Sequence, residues 1–430
     1  MRKRRIAAFV LLFGLAFLAA SAGRAAAEKA KTLPSLDSKT RKRITALIDE
    51  YFAASDITEE LRLLNKLRRY DPVSPRDLKR FVKYAWKKVK EKGALPKPRG
   101  TQKVDSPFGS TTVILSGKPS RKGGGLLLGL HGGGPNAGDA SEPAGNWPAP
   151  KGFIGVYPNA IERVWNSWNQ PKQEHFLQWL VKLVRRSVPL DSNRVYVAGH
   201  SMGGHGAYGQ LLQYADVFAA GVASAGNPLV EDSADHYGDA KKLADNLYNT
   251  AIYVVHSEDD PKVAWKPVKE WTDVLAALHK KFPGGYDYHF SFYKKNGHGL
   301  AVEGTAKCLE WACKHVRDPR PKVIRWRMYR PWKRHFYWLY ADKPVKLALV
   351  EARYTAPNEV EITGEDFMGR LSVLFNDKLV DMSKPVRVKA NGRVVFEGVL
   401  QPSLSAAVCS IRENEDPEMV YTARVTIEMP

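Results

Sequence analysis

Ser201 lies in a G-x-S-x-G stretch, Gly199-His200-Ser201-Met202-Gly203, with the apolar run RVYVAG before it and the small-residue pattern GHGAYGQLLQYA after it. A serine hydroxyl is a weak nucleophile until a neighbouring base takes its proton. A sharp strand-to-helix turn exposes such a hydroxyl, and the flanking glycines remove side chains that would collide with it. Within an ordinary strand or helix each glycine would cost about 0.5–1 kcal/mol against alanine, so the turn explains them better than packing does. The base and its orienting acid are expected beyond later strands, in the order serine, acid, histidine. AIYVVHSEDDPKV supplies Asp259 or Asp260 after one strand, and YHFSFYKKNGHGLA supplies His298, between glycines, after the next. Together these residues would attack a carbonyl carbon and form an acyl-enzyme. The resulting oxyanion needs two backbone donors. Met202 N–H, directly after the nucleophile, is one, and LLLGLHGGGPNAG at 126–138 offers the other at Gly133, with Gly134 as the alternative.

Trp165 and Trp168, beside Asn166 and Asn169 in VWNSWNQP, are read as lining an acyl or sugar pocket, against core packing as the ordinary role of tryptophan. His200 fills the variable position of the turn and His205 falls on the helix after it; both are read as structural. The three cysteines, Cys308, Cys313 and Cys409, cannot form a disulfide framework and are expected as buried thiols, with one bridge to Cys409 as the alternative. No Cys or His spacing fits a metal site, and the chemistry calls for no cofactor.

The elements that position these residues come in three regimes. Residues 28–100 are rich in Lys, Arg, Leu and Glu, with apolar residues at helical spacing in TRKRITALIDEYF and SPRDLKRFVKYAWKKVKEK, and are predicted to form a small helical region. From 101 to 317, short apolar runs alternate with helix-length stretches, the pattern of an α/β domain whose mostly parallel sheet is covered on both faces. From 318 to 430, after the joint RDPRP, the alternation gives way to short β-branched and aromatic runs and the hairpin signal ANGR. That region is predicted to be an all-β accessory domain that folds separately.

Residues 1–27 have a basic start, an apolar run and small residues at Ala25-Ala26-Ala27, the order of a secretory signal cleaved before Glu28. The expected location is therefore secreted or periplasmic, with membrane attachment only if the segment stays uncleaved. The formal net charge of +21 falls to +16 without the five cations of that segment. Such a charge suits an anionic polysaccharide or envelope surface; export makes nucleic acid an unsuitable partner.

The stretches GHSMGGHGA, HGGG, the acid loop and NGHG resemble the α/β-hydrolase superfamily over roughly 110–316. They look most like its feruloyl-esterase, polyhydroxybutyrate-depolymerase and prolyl-oligopeptidase-like branches, and GHSMGGHGA is also similar to esterase D. The stretch HSEDDPKV resembles the H-G-x-x-D-P-x-V acid loop of related esterases, with Ser257 in place of its glycine, which favours Asp260 over Asp259 as the acid. The resemblance implies a serine hydrolase acting on carboxylic esters or, less often, peptides; the basic charge makes a polysaccharide-linked or anionic ester a suitable substrate. Two alternatives stay open: a prolyl-oligopeptidase-like serine peptidase, and a non-catalytic envelope- or polysaccharide-binding protein on a hydrolase scaffold. Such peptidases usually carry a propeller upstream, which about 70 helical residues cannot make.

Overall fold

The computed structural model describes residues 33–120, 123–134, 137–231 and 236–429. The expected signal segment lies outside them. The central region is built on eight strands: β1 (Gly100–Ser106), β2 (Gly109–Gly117), β3 (Gly124–Leu130), β4 (Ile154–Pro158), β5 (Leu190–His200), β6 (Ala220–Ser224), β7 (Ala251–Ser257) and β8 (Tyr288–Tyr293). They form one sheet in the order β1-β2-β4-β3-β5-β6-β7-β8. The run from β4 to β8 is parallel, while β2 is antiparallel to both of its neighbours. Strands β3, β4, β6 and β7 are buried along their whole length, as expected when helices cover both faces. The major covering helices are Pro171–Ser187, Met202–Tyr214 and Trp265–Lys281. The α/β-hydrolase expectation is borne out. Ser201, Gly133, Asp260 and His298 follow the carboxyl ends of β5, β3, β7 and β8 respectively, the end at which open parallel sheets place their ligands.

The C-terminal region carries nine strands: β9 (Val323–Arg327), β10 (His335–Phe336), β11 (Leu339–Ala341), β12 (Leu349–Ala356), β13 (Glu359–Glu365), β14 (Gly369–Phe375), β15 (Pro385–Ala390), β16 (Arg393–Val399) and β17 (Ala423–Met429). They make a five-stranded sheet, β16-β15-β13-β12-β9, and a four-stranded sheet, β10-β11-β14-β17. The ANGR hairpin joins β15 to β16 with Asn391 and Gly392 at φ 47° and 78°, the positive values that a type I′ turn requires. The region is not all-β, however. Leu404–Asn414 is a helix, capped by Ser403, whose side chain accepts the Ala406 N–H, and every residue from Leu404 to Ile411 is buried. With no polar face, it has no amphipathic period to betray it in the sequence.

That buried helix explains where the N-terminal helices go. Ser38–Ala53, Ile57–Arg68 and Pro75–Glu91 pack on the C-terminal region. Arg412 donates to Glu60 at 2.6 Å, Ser403 to Asp71 at 2.8 Å, and Arg68 pairs with Asp342 at 2.7 Å. The C-terminal region is in turn tied to the sheet domain by buried ion pairs: Arg317–Asp416 and Arg330–Glu174, each at 2.6 Å, and Arg325 and Arg327 on Asp245 at 2.8 and 2.7 Å. One apolar core runs through all three regions. Removing one partner of such a buried pair typically costs about 3–5 kcal/mol, because the other charge is left in an apolar setting. Separate folding of the C-terminal region does not fit this packing.

Candidate active site

Strand β5 ends at His200, the Met202–Tyr214 helix begins at Met202, and Ser201 alone makes the turn between them at φ 57°, ψ −123°. A non-glycine residue held there stores about 1–3 kcal/mol of strain. The close approach of the chain on either side makes the glycines necessary: a Cβ on Gly199 would lie 2.2 Å from the Gly203 carbonyl oxygen, and one on Gly203 2.0 Å from that of Leu130. The turn is pinned by Ser201 N–H donating to the Ser224 carbonyl at 2.9 Å. The side chain is thereby presented above the sheet.

His298 follows β8 and Asp260 follows β7, and adjacent parallel strands bring the two loops together. His298 Nε2 lies 2.8 Å from Ser201 Oγ, and its Nδ1 lies 2.8 Å from Asp260 Oδ2. The Asp260 carboxylate is wholly buried. Burial raises its pKa, but His298 and the N–H groups of Val263 and Lys262, at 3.0 and 2.8 Å, outweigh that and hold it below the ordinary value. Asp260 is therefore ionised near neutrality, with its second oxygen fixed by backbone donors. The arrangement can accept the Ser201 proton on His298 and stabilise the imidazolium that forms.

Asp259 points elsewhere. It accepts from the Ser257 hydroxyl and from the N–H groups of Asn296 and Gly297 at 3.1 and 2.8 Å, which lower its pKa to about 2. Ser257 Oγ also accepts the Asn296 N–H at 3.0 Å. Serine in place of the glycine of the resembled loop thus has a physical role: with Asp259 it staples the β7 loop to the loop that carries His298.

The HGGG loop is held from three sides. His131 is fully buried and neutral, since burial lowers its pKa; its Nδ1 lies 2.7 Å from the Gly132 carbonyl, and its Nε2 accepts the Ala160 N–H at 3.1 Å. Trp168 Nε1 donates to the His131 carbonyl at 2.9 Å. The Gly132 N–H is taken by the Glu142 carboxylate. Gly133 has φ +98°, and a Cβ there would meet the Ala137 carbonyl oxygen at 2.8 Å. A Cβ on Gly132 would stand 3.3 Å from that of Ser201, so the loop passes directly beside Ser201. Met202 opens its helix on the other side, with its N–H among the donors that a helix start leaves free of intrahelical partners.

Trp168 requires a correction. It is 0% exposed and its ring packs against Gly206, so it cannot touch a substrate; it supports the HGGG loop instead. Trp165, at 55% exposure with its ring 6.1 Å from that of His205, remains accessible. His205 is buried and neutral: burial lowers its pKa to about 4, and its Nδ1 accepts the Asn227 N–H at 2.7 Å. His200 has its ring 4.9 Å from that of His298 and is likewise kept neutral, mainly by burial and then by His298. The three cysteines are free thiols. Two contributors were missed from sequence: Glu142, an isolated carboxylate with no motif around it, and His131, visible only as the first letter of HGGG.

Residues 134–298 match the Esterase family model. Solved structures similar to this chain include a thermostable esterase (20% identity, 50% of this chain and 63% of the other, TM-score 0.38). A Pyrococcus horikoshii acylaminoacyl peptidase (18%, 50% and 40%, 0.39) and a ferulic acid esterase (18%, 50% and 97%, 0.37) are also similar. The chain thus spans less than two thirds of the first two and nearly all of the third. Among curated proteins none matches.

Proposed function

We propose that this chain, whose central domain has the α/β-hydrolase fold, is a serine hydrolase that cleaves carboxylic esters by double displacement at Ser201; the match of residues 134–298 to the Esterase family model supports that reading. His298 takes the Ser201 proton as the oxygen attacks the ester carbonyl. The N–H groups of Met202 and Gly133 hold the oxyanion; Gly132 is excluded because Glu142 already occupies its N–H. His298 then protonates the departing alcohol. Water, deprotonated by the same imidazole, cleaves the acyl-enzyme and restores the serine. Asp260 keeps His298 in the tautomer with Nε2 free to accept and offsets its positive charge. The observation that carries this reading is the bridge of His298 between Asp260 and Ser201, 2.8 Å on each side.

Trp165 borders the acyl side in this reading. Export with loss of residues 1–27, and an ester carried on an anionic polymer, complete it; the basic composition supports the second. N-terminal sequencing of exported protein should begin at Glu28. The test of reaction class is a panel of p-nitrophenyl, feruloyl and acetyl-xylan esters beside proline-containing peptides. Ester turnover that disappears in Ser201→Ala supports the proposal, and peptide turnover without ester turnover contradicts it.

A further inference from the structure

A second cavity lies at the other end of the helix that begins at the nucleophile. Its volume is about 470 Å³, within the range of small-molecule sites. Tyr214, the last residue of the Met202–Tyr214 helix, lines it, so it sits about 20 Å from Ser201 by the rise of that helix. Its walls come from all three regions of the chain: Asp56 and Glu60, Lys182 and Arg185 of the Pro171–Ser187 helix, and Trp332–His335 with Arg412, Glu413, Asn414 and Asp416.

The charges around this cavity do not cancel group by group. Glu60 is taken by Arg334 and Arg412, Glu413 by Arg334 at 2.9 Å, Asp216 by Lys333 at 2.6 Å, and Asp416 by Arg317 at 2.6 Å. Asp56 serves as a helix cap, accepting the Glu59 N–H. Lys182 and Arg185, three residues apart on one helix face, are left over. Among the described residues Lys182 has no carboxylate within ion-pair distance. The Arg185 side chain is only 7% exposed, yet it lies 3.7 Å from an Asp416 oxygen already engaged by Arg317, and its Nε and Nη2 make no hydrogen bond. His335, 2% exposed, also has an unpartnered Nδ1. Glu415, the carboxylate that most favours charged Lys182, is already paired with Lys92 and Arg186, as Asp416 is with Arg317. Two neighbouring, partly buried cations that share their anions with other cations are costly, and donors left unmade in a polar cavity invite an acceptor. Beside them Phe108, His175 and Trp332 form an aromatic wall, Phe108 stacked on His175 with ring centroids 5.5 Å apart and Trp332 tilted against His175 at 4.6 Å.

We propose that this cavity binds a small organic anion through a phosphate or carboxylate group held by Lys182 and Arg185, and that its occupancy clamps the N-terminal helices and the C-terminal region onto the catalytic domain. The site is separate from the ester-cleaving machinery and stands whether or not that reading holds.

The test uses the full chain, with inorganic phosphate and citrate as probes and sodium chloride at equal ionic strength as reference. Calorimetry should show one saturable site and a raised melting temperature with at least one probe. Tighter binding of phosphate assigns the ligand to phosphate esters, and tighter binding of citrate to carboxylates. Lys182→Gln and Arg185→Gln should each weaken binding about tenfold or more, as expected for a lost charge-assisted hydrogen bond, while fluorophosphonate labelling of Ser201 stays unchanged. Unaltered binding in both variants, or no saturable binding of either probe, overturns the proposal. A measurement on the unmodified protein stands beside the variants. Burial lowers the Lys182 pKa to about 8, so acetic anhydride should acetylate it readily, and the probe that binds should protect it. Acetylation of Lys182 at the same rate with saturating probe also overturns the proposal.

Discussion

The two adjacent carboxylates, Asp259 and Asp260, divide two jobs that one sequence stretch leaves entangled. Asp260 meets His298, while Asp259 meets the backbone that carries it. Asp260→Asn should therefore lower kcat by about 10⁴ with the fold intact, because the amide favours the wrong tautomer. Asp259→Asn keeps an acceptor oxygen for the Asn296 and Gly297 N–H groups, and its effect on kcat should be far smaller. Steady-state kinetics with circular dichroism checks both, and the reverse ranking would move the orienting role to Asp259. Glu142 is the second residue with an assigned task. Glu142→Ala frees the Gly132 N–H and the loop beside Ser201, which should lower kcat by about ten- to a hundredfold, less than the loss of a direct oxyanion donor. Glu142→Gln keeps an acceptor and should recover most of that loss. Equal losses in both variants would mean that the negative charge, not the hydrogen bond, matters.

At the scale of elements, the Met202–Tyr214 helix shows how tightly the surroundings of Ser201 are built. Glycine to alanine within a helix ordinarily stabilises by about 1 kcal/mol. At Gly209 the sign should reverse, since a Cβ there would lie 1.8 Å from Asn169 Oδ1, whose side-chain amide also bonds the carbonyls of His205 and Leu229. Gly209→Ala is expected to destabilise by about 1–3 kcal/mol, in line with other overpacked sites, as read by urea unfolding. Unchanged or increased stability would show that Asn169 has room to move. This is also the scale at which legibility changed. The G-x-S-x-G turn, HGGG and the strands before Asp260 and His298 could be read because each is a local pattern of glycine placement and apolar runs. The choice of Asp260 over Asp259 rested on family resemblance, since both residues follow the same strand. Trp168 was misread because the residues that bury it, His131 and Gly206, are distant in sequence on either side of a polar-looking loop. Strand β1, with Val104 as its single buried residue, gave no alternation to read, and the Leu404–Asn414 helix gave no polar face.

For the whole molecule, the contacts argue for one cooperative body. A chain ended at Arg317 would leave Glu174, Asp216 and Asp245 without Arg330, Lys333, Arg325 and Arg327. Such a truncation should show no cooperative thermal transition by circular dichroism; a sharp one would make the C-terminal region an appendage. The same cohesion sets a pH dependence. Burial lowers the pKa values of His205 to about 4 and His335 to about 3, below the ordinary 6.5. The unfolded chain therefore binds these protons first. Their contribution to stability is complete above about pH 6.5 and is lost as pH falls toward 4 and then 3. Glu413 and Asp416 are buried, which alone would raise them, but Arg334 and Arg317 respectively bring both down to about 2, so their contribution is lost between about pH 4.5 and 2. Calorimetric melting temperatures should decline from pH 6.5 downward, before ordinary carboxylates titrate. A flat profile between pH 6.5 and 4.5 would mean that the buried histidines are solvated in the native protein.

The central claim is that this body exists to make one hydroxyl nucleophilic. Intact-protein and peptide mass spectrometry after exposure to a fluorophosphonate tests it most directly. The expected result is a single adduct on the folded protein, located at Ser201, absent in Ser201→Ala and greatly slowed in His298→Ala. A folded protein that stays unlabelled, or an adduct on any residue other than Ser201, would contradict the account.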